Sequence, residues 1–404
     1  MTEKSKFCQR EASAEREKYI RASLALSMIP AVGAGRIRRL FDYFSDPMSV
    51  FRADRADIAR IETIGGSVAE AIRRFTEWDQ VDRLLTMSDK HAMTLLTPFD
   101  ASYPTRLLHI YDPPAVLWLK GDLHALKNEF LAVVGTRRPT KQGRQLTIRL
   151  TRMLLSQIDA GIASGLAHGV DALAHRAALG QNKCTVAVMA CGLDRIYPTG
   201  NRQLAWDILD RGGALVSEYP PGTKPEAHHF PVRNRIVSGM SLGVLVTETG
   251  VTGGSMITVG TALDQGREVF AVPHDTGNEH GEGCNRIIQR GWGKLVCSVE
   301  DIVAELPPAV RNRGWNKTGP GLHRSPVSDP IPVSEKASGS SRRHEDDPVI
   351  RKMLGLLSGD AMHIDQLARH MKITAHKLLP ALLRLELEGV VVQRPGKKFV
   401  LSEW

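Results

Sequence analysis

Cysteine is scarce and unpaired in this chain. Its five residues, Cys8, Cys184, Cys191, Cys284 and Cys297, are scattered over 404 positions with no C-x-x-C pair. An odd count without metal-ligand spacing rules against a disulfide framework and points to reduced thiols in a cytoplasmic protein. Long apolar runs are missing too. Nothing reaches the ~18 consecutive apolar residues of a membrane-spanning helix, so no membrane association is expected. The opening MTEKSKFCQREASAEREKY is charged and has no apolar centre, and it does not read as a secretory signal.

Two further absences concern chemistry. The first glycine loop of the central region, Gly135-Thr136-Arg137-Arg138-Pro139-Thr140, is not G-x-G-x-x-G and lacks the Gly-Lys-Ser/Thr ending of a P-loop. The next strand candidate ends in Ser164-Gly165, not in the acidic residue that would hold a ribose. NAD and ATP are therefore disfavoured, and no cofactor is expected. What remains at the first loop is a helix N-terminus with two arginines, an anion site without a nucleotide code.

Basic residues are in excess, at a net charge of +9, which favours a polyanionic partner if the charge is clustered. It is clustered in His229–Thr258. That stretch opens with Arg233-Asn234-Arg235, continues through the apolar run Gly243-Val244-Leu245-Val246, and turns at Thr252-Gly253-Gly254-Ser255 into a helix-like segment. Strand, glycine loop and helix start together suit an anion. Glycine admits close backbone approach, and free N–H groups at the helix start point at the ligand. The arginines add forked donors.

Along the chain, residues 1–18 read as a flexible polar tail. Residues 19–90 read as a small all-α domain holding two similar helix–glycine hairpin–helix units, at Met28–Gly35 and Ile61–Gly66. Hairpin N–H groups of this kind can meet a nucleic-acid backbone, and Arg36, Arg38 and Arg39 follow the first. Residues 91–306 alternate strand and helix, with strand candidates Leu131–Val134, Gly161–Ser164, Thr185–Ala190, Ala214–Ser217, Gly243–Val246, Val269–Val272 and Leu295–Val296. Apolar runs separated by amphipathic segments indicate a doubly wound α/β domain with a mostly parallel sheet. Its ligand belongs beyond the carboxyl ends of the strands. Residues 307–347, rich in Pro, Ser, Gly and Arg, read as a flexible linker. Residues 348–404 read as a winged helix: helices at Val349–Leu357, His363–His370 and Thr374–Glu388, then a two-stranded hairpin. Its third helix carries mixed charge, which suits DNA and protein docking about equally.

Other residues offer sharper and blander readings. Asp171 and His175, four apart, share a helix face as an acid–base pair or as metal ligands. No nucleophile or third ligand accompanies them, so helix capping and a structural hydrogen bond are favoured. His228, His229, His274 and His280 would form a zinc site only if folded together, and no metal is expected. Phe230, beside the basic cluster, can stack a base or pack in the core.

The motifs YPTRLLHIYDPPAVLWLKG, VVGTRRPT, SGLAHGVDALAH, HFPVRNRIVSG, GGSMIT and GREVFAVP occur in that order. Together they resemble the DNA-processing protein A family, DprA/Smf, from about Ile20 to the C-terminus apart from the linker. The resemblance implies a sterile-alpha-motif-like N-terminal domain, an extended Rossmann domain and a C-terminal winged helix. It also implies sequence-independent single-stranded DNA binding that protects incoming DNA, a homodimer through the Rossmann domain, and loading of the RecA recombinase in natural transformation. No catalytic activity is implied. By motif, the family's site residues fall on Arg137, Arg233-Asn234-Arg235 and Gly254-Ser255. The chain departs from the family at His168 (usually Arg), Gly253 (often Ser), His274 (often Gly) and Ala227 (often Lys, with Lys224 upstream here).

The expected DNA site thus comprises Gly135, Thr136, Arg137, Ser164, Gly165, Phe230, Arg233, Asn234, Arg235, Gly253, Gly254 and Ser255. The competing reading is a nucleoside monophosphate phosphoribohydrolase-like enzyme, whose P-G-G-x-G-T loop is incomplete here. A transcriptional regulator, resting on the winged helix alone, is the third.

Overall fold

The computed structural model describes residues 3–312 and, beyond them, 348–357, 362–371, 373, 378, 381–382, 385–386, 390–394 and 398–401. Two compact units divide between residues 323 and 324. No helix among the described residues is long and apolar enough to cross a membrane.

The first unit begins with helices α1 (Glu3–Ser27), α2 (Ala34–Tyr43), α3 (Arg55–Ala59), α4 (Gly66–Arg73) and α5 (Trp78–Lys90). Helix α1 starts inside the stretch expected to be a tail. The two hairpins share one backbone design. Ile29-Pro30-Ala31-Val32-Gly33 and Ile61-Glu62-Thr63-Ile64-Gly65 each bury their first and fourth residues and place the third at positive φ, 66° for Ala31 and 69° for Thr63. Arginine clasps the hairpins together. Arg36 donates to the carbonyls of Ala31 and Thr63, and Arg39 Nη1 lies 2.5 Å from Thr63 Oγ1. Two of the three arginines expected to favour DNA contact here are therefore used within the fold.

This helical region does not stand apart at residue 90. Ile20 and Leu24 of α1 and Val81 and Leu84 of α5 share a core with Trp118, Met189 and Leu215 of the sheet. The Trp118 indole donates to Ser88 Oγ at 3.1 Å, satisfying both buried groups.

The sheet follows: β1 (Thr94–Leu96), α6 (Thr105–Leu108), β2 (Leu117–Gly121), β3 (Phe130–Val134), α7 (Lys141–Gln157), β4 (Gly161–Ser164), α8 (Val170–Leu179), β5 (Thr185–Met189), α9 (Arg202–Asp210), β6 (Ala214–Ser217), α10 (His229–Gly239), β7 (Ser241–Val246), α11 (Gly254–Asp264), β8 (Glu268–Ala271), α12 (Glu282–Gln289), β9 (Lys294–Leu295) and α13 (Val299–Val303). The strands lie in the order β1-β2-β6-β5-β4-β3-β7-β8-β9. From β6 to β9 all pairings are parallel, while β1 and β2 add an antiparallel edge. β1 was not expected, because three residues carry too little periodicity to register. The β3 side chains show how both faces are covered. Phe130, Ala132 and Val134 pack with α10 and α11, while Leu131 and Val133 pack with α7, α8 and α13. Each fully buried leucine of this kind contributes ~1.5–3 kcal/mol.

The first unit runs past the expected linker boundary. Leu306 and Val310 are core residues, Asp159 N donates to Val310 O at 2.7 Å, and Asn312 N donates to Gln157 O at 2.9 Å. Positions 313–347 lie outside the described residues. In the second unit, α14 (Pro348–Leu357), β10 (Met362–His363), α15 (Ile364–Met371), β11 (Val391–Arg394) and β12 (Lys398–Leu401) surround Met353, Leu357, Leu367 and Phe399. β12 pairs with both β10 and β11, so the wing has three strands where a two-stranded hairpin was expected. The expected third helix, Thr374–Glu388, lies mostly outside the described residues.

Candidate nucleic-acid interface

β3 is the switch point of the sheet. Strand order runs β3-β4-β5-β6 on one side and β3-β7-β8-β9 on the other. The loops after β3 and β7 therefore diverge and leave a crevice at the carboxyl edge. A groove of about 580 Å³ lies there, lined by Gly135, Thr136, Arg137, Gly165, Phe230, Arg233, Asn234, Gly253, Gly254 and Ser255 together with Arg138, Asp171, Ile257 and His280 among others. Every expected site residue is present except Ser164 and Arg235.

Those two are turned elsewhere. Ser164 is fully buried, and its hydroxyl donates to Val133 O at 2.7 Å, pinning β4 to β3. The basic cluster, which the sequence placed ahead of a strand without assigning it an element, lies in the helix α10. Pro231 is tolerated because it sits in the first turn, where its missing N–H has no acceptor to lose. Residues 233 and 235 are then about 200° apart around the axis. Arg233 faces the groove floor. Arg235 faces away and pairs with Glu218 at 2.5 Å and Asp112 at 3.0 Å. Burial raises the Glu218 carboxyl, and the Arg235 guanidinium pulls it back down. Arg235→Ala should therefore lower stability by roughly 1–3 kcal/mol, as a buried carboxylate loses its charged donor, and leave affinity for a groove ligand unchanged. Urea denaturation together with a binding titration checks both halves.

Arg233 is a built-in cation of the floor. Only 4% of it is exposed; it donates to Gly165 O at 2.7 Å and to Val188 O, tying the loop after β4 and the end of β5 to α10. Burial lowers its pKa, while the nearby Asp171 carboxylate supports its charge. A Cβ on Gly165 would stand 2.4 Å from the Arg233 guanidinium, so only glycine leaves it room.

Arg137 is the exposed counterpart. It is exposed at the groove mouth, with its guanidinium carbon 5.5 Å from the Phe230 ring centroid. Phe230 is half-buried, 5.9 Å from the Arg233 guanidinium and tilted against Tyr197 at 5.8 Å. The ring thus draws both cations to it by its quadrupole. Tyr197 escaped the sequence reading. It follows β5, and the strand-end rule would have placed it on the same edge.

The two helix N-termini at the crevice differ. At α7 the position is filled. Glu248, fully buried at the end of β7, accepts from Thr140 N at 3.1 Å and Thr140 Oγ1 at 3.2 Å. The helix-start position expected to meet an anion at the first glycine loop is thus occupied by a carboxylate from the chain, which leaves the arginines of that loop as its groove-facing groups. No local signal marked Glu248, whose partner is 108 residues away. At α11 the position is open. Gly253 caps the helix and a Cβ on Gly254 would meet nothing within 4 Å, so a ligand can approach the first-turn amides. The Ser255 hydroxyl is engaged with Thr249 Oγ1 at 2.6 Å, leaving its amide as the donor it can offer.

Asp171 and His175 face inward. Asp171 is buried and accepts from Gly165 N at 3.0 Å and Ala167 N at 3.4 Å. His175 bonds Thr185 Oγ1 at 2.7 Å, and burial lowers its pKa to about 3, so it is neutral. The structural reading of this pair is the one its geometry supports. The four histidines do not converge: His228 and His229 lie together with Glu226, whereas His274 bonds Thr247 O at 2.8 Å.

The comparisons with known proteins agree with this architecture. A family model described as DNA recombination-mediator protein A matches residues 94–307, and one described as DprA winged helix domain matches residues 340–397. The chain is 31% identical over 389 residues to Protein Smf of Synechocystis sp., covering 93% of this chain and 97% of that protein. It is 39% identical over 265 residues to the DNA processing protein DprA of Bacillus subtilis, covering 65% and 88%. The X-ray structure of DNA processing protein A from Streptococcus pneumoniae superposes with a TM-score of 0.60 at 33% identity, over 71% of this chain and 98% of that one. With one family model spanning the whole sheet and a second the C-terminal module, this chain belongs to the DNA recombination-mediator protein A family, DprA/Smf.

Proposed function

We propose that the crevice binds the backbone of single-stranded DNA without reading its sequence. The observation that carries this is Arg137, an exposed cation without a carboxylate partner among the described residues, placed over Phe230 at the mouth of the groove. In this reading Arg137 and the α11 amides hold phosphates, Arg233 supplies a fixed positive floor, and Phe230 offers a face to a base. None of these contacts discriminates between bases. The remaining roles rest on family membership: protection of incoming DNA, loading of RecA in natural transformation, and a homodimer through the Rossmann domain in the cytoplasm.

We propose no enzymatic activity. Asp171, the carboxylate lining the groove, is spent on two loop amides, and α11 has no glutamate to act on a ribose. The N-terminus of α7, where a dinucleotide's phosphates would sit, is closed by Glu248.

Gel shifts with single- and double-stranded oligonucleotides over a salt series test this function. Affinity for single strands should exceed that for duplex and fall with salt at a log–log slope of roughly −0.7 per phosphate neutralised. A slope near zero, or preference for one duplex sequence, counts against it.

A further inference from the structure

Helices α7 and α8 follow adjacent parallel strands and lie side by side behind the groove. The seam between them is strongly basic. At its upper end a cleft of about 220 Å³ is lined by Arg137, Arg144, His168 and Arg176. Lower down, Arg152 reaches across to α8, its Nη2 3.6 Å from where a Cβ of Gly180 would stand. Arg144 and Arg152 are eight residues apart on α7, about 12 Å along the axis.

This charge is not balanced within the fold. Helix α7, KQGRQLTIRLTRMLLSQ, has no acidic residue in seventeen. The acid of α8, Asp171, is buried against loop amides. Among the described residues Arg144 reaches the Pro139 carbonyl at 3.3 Å and no acid, whereas Arg39, Arg55, Arg74, Arg106, Arg195 and Arg235 each meet a carboxylate. Among the described residues Arg137, Arg144, Arg152 and Arg176 meet none. Lys141 and Arg144 also occupy the first turn of α7, where the helix dipole disfavours cations. Exposed like charges gathered at that end raise the positive potential, and an anionic ligand lowers it.

We infer that the α7–α8 seam is a second backbone-binding segment, which carries the strand onward from Arg137 by phosphate contacts from Arg144, Arg176 and Arg152. It rests on the single-strand reading of the groove. Arg137 belongs to both the groove and the upper cleft, so the two are continuous at one residue. Phe230 lines the groove and no Phe, Tyr or Trp lines the cleft, so the seam holds phosphates and offers no broad ring on which to stack bases. It contributes length and salt dependence, not base preference.

The test compares oligothymidylates of about 6 and about 20 nucleotides, chosen to bracket the ~4–16-nucleotide footprint of a single-strand-binding OB fold. Wild-type protein should bind the longer strand more tightly and with a steeper salt slope. In R144A/R152A/R176A the long strand should bind roughly ten-fold or more weaker and lose about 2 from the magnitude of its slope, at ~0.7 per contact, while the short strand binds as before. R144K/R152K/R176K should keep most of the long-strand affinity, because point charges suffice for phosphates. Unchanged long-strand binding by the alanine variant overturns the seam, and so does an equal loss at both lengths. If wild-type protein binds neither strand, the groove reading itself fails and the seam falls with it.

Discussion

Arg137→Ala should weaken single-strand binding by roughly 10–100-fold, the worth of a charge-assisted contact of about 1.5–3 kcal/mol. The side chain is exposed and carries no part of the core, so circular dichroism and the urea midpoint should be unchanged. Its salt slope should shrink by about 0.7, the signature of one lost phosphate. Phe230→Ala should cost a comparable ~1–3 kcal/mol if a base stacks on it, with the slope intact. The two losses should not add. The guanidinium rests 5.5 Å from the ring, so removing either already loosens the other, and the double variant should fall short of the sum. Arg137→Lys separates charge from stacking: it keeps the slope and loses part of the affinity, since an ammonium lacks the planar fork. Wild-type affinity in Arg137→Ala at low salt would remove the groove as the binding site.

Gly143→Ala should destabilise the fold by about 3–5 kcal/mol, combining overpacking with loss of a charged hydrogen bond. Helix propensity argues the opposite, because alanine in place of glycine within a helix gains ~1 kcal/mol. Packing decides the sign. A Cβ on Gly143 would stand 1.5 Å from Glu248 Oε2, and Glu248 has no exposed surface through which to retreat. The carboxylate would have to leave Thr140, unplugging the N-terminus of α7. Glu248→Ala alone should also destabilise, since it leaves the Thr140 amide without its acceptor. Adding Gly143→Ala to it should then cost little. A double-mutant cycle by urea denaturation with a large coupling between the two positions is the expected result. A Gly143→Ala protein as stable as the wild type would refute the plugged-helix geometry.

Much of the fold is legible in the sequence. Gly161–Ser164 and Ala214–Ser217 have the ends expected of them, and the other strands of the parallel sheet differ by a residue or two. Runs such as FLAVV and SLGVLV are apolar on both faces, and buried parallel strands require that composition. Short or mixed segments were less readable. β1 is too brief to show a period, and the helical domain appeared separate because the residues joining it to the sheet, such as Leu24 and Trp118, lie far apart in sequence.

The candidate site divides along the same line. Local sequence determined that chemistry would gather where strands end, because parallel strands place all their following loops on one edge. It also determined which residue types stand there: glycines that open the backbone, arginines that meet anions, and one phenylalanine. Tertiary structure alone decided what each of them faces. Arg233 and Arg235 look equivalent as letters, yet the helical phase of α10 sends one to the groove floor and the other to Glu218 and Asp112. The glycine loops after β3 and β7 look like two anion sites, yet Glu248 closes the first and leaves the second open. Such choices depend on partners that the sheet brings together from 17 residues away, as with Glu218 and Arg235, or from 108, as with Glu248 and Thr140, and no local period encodes them.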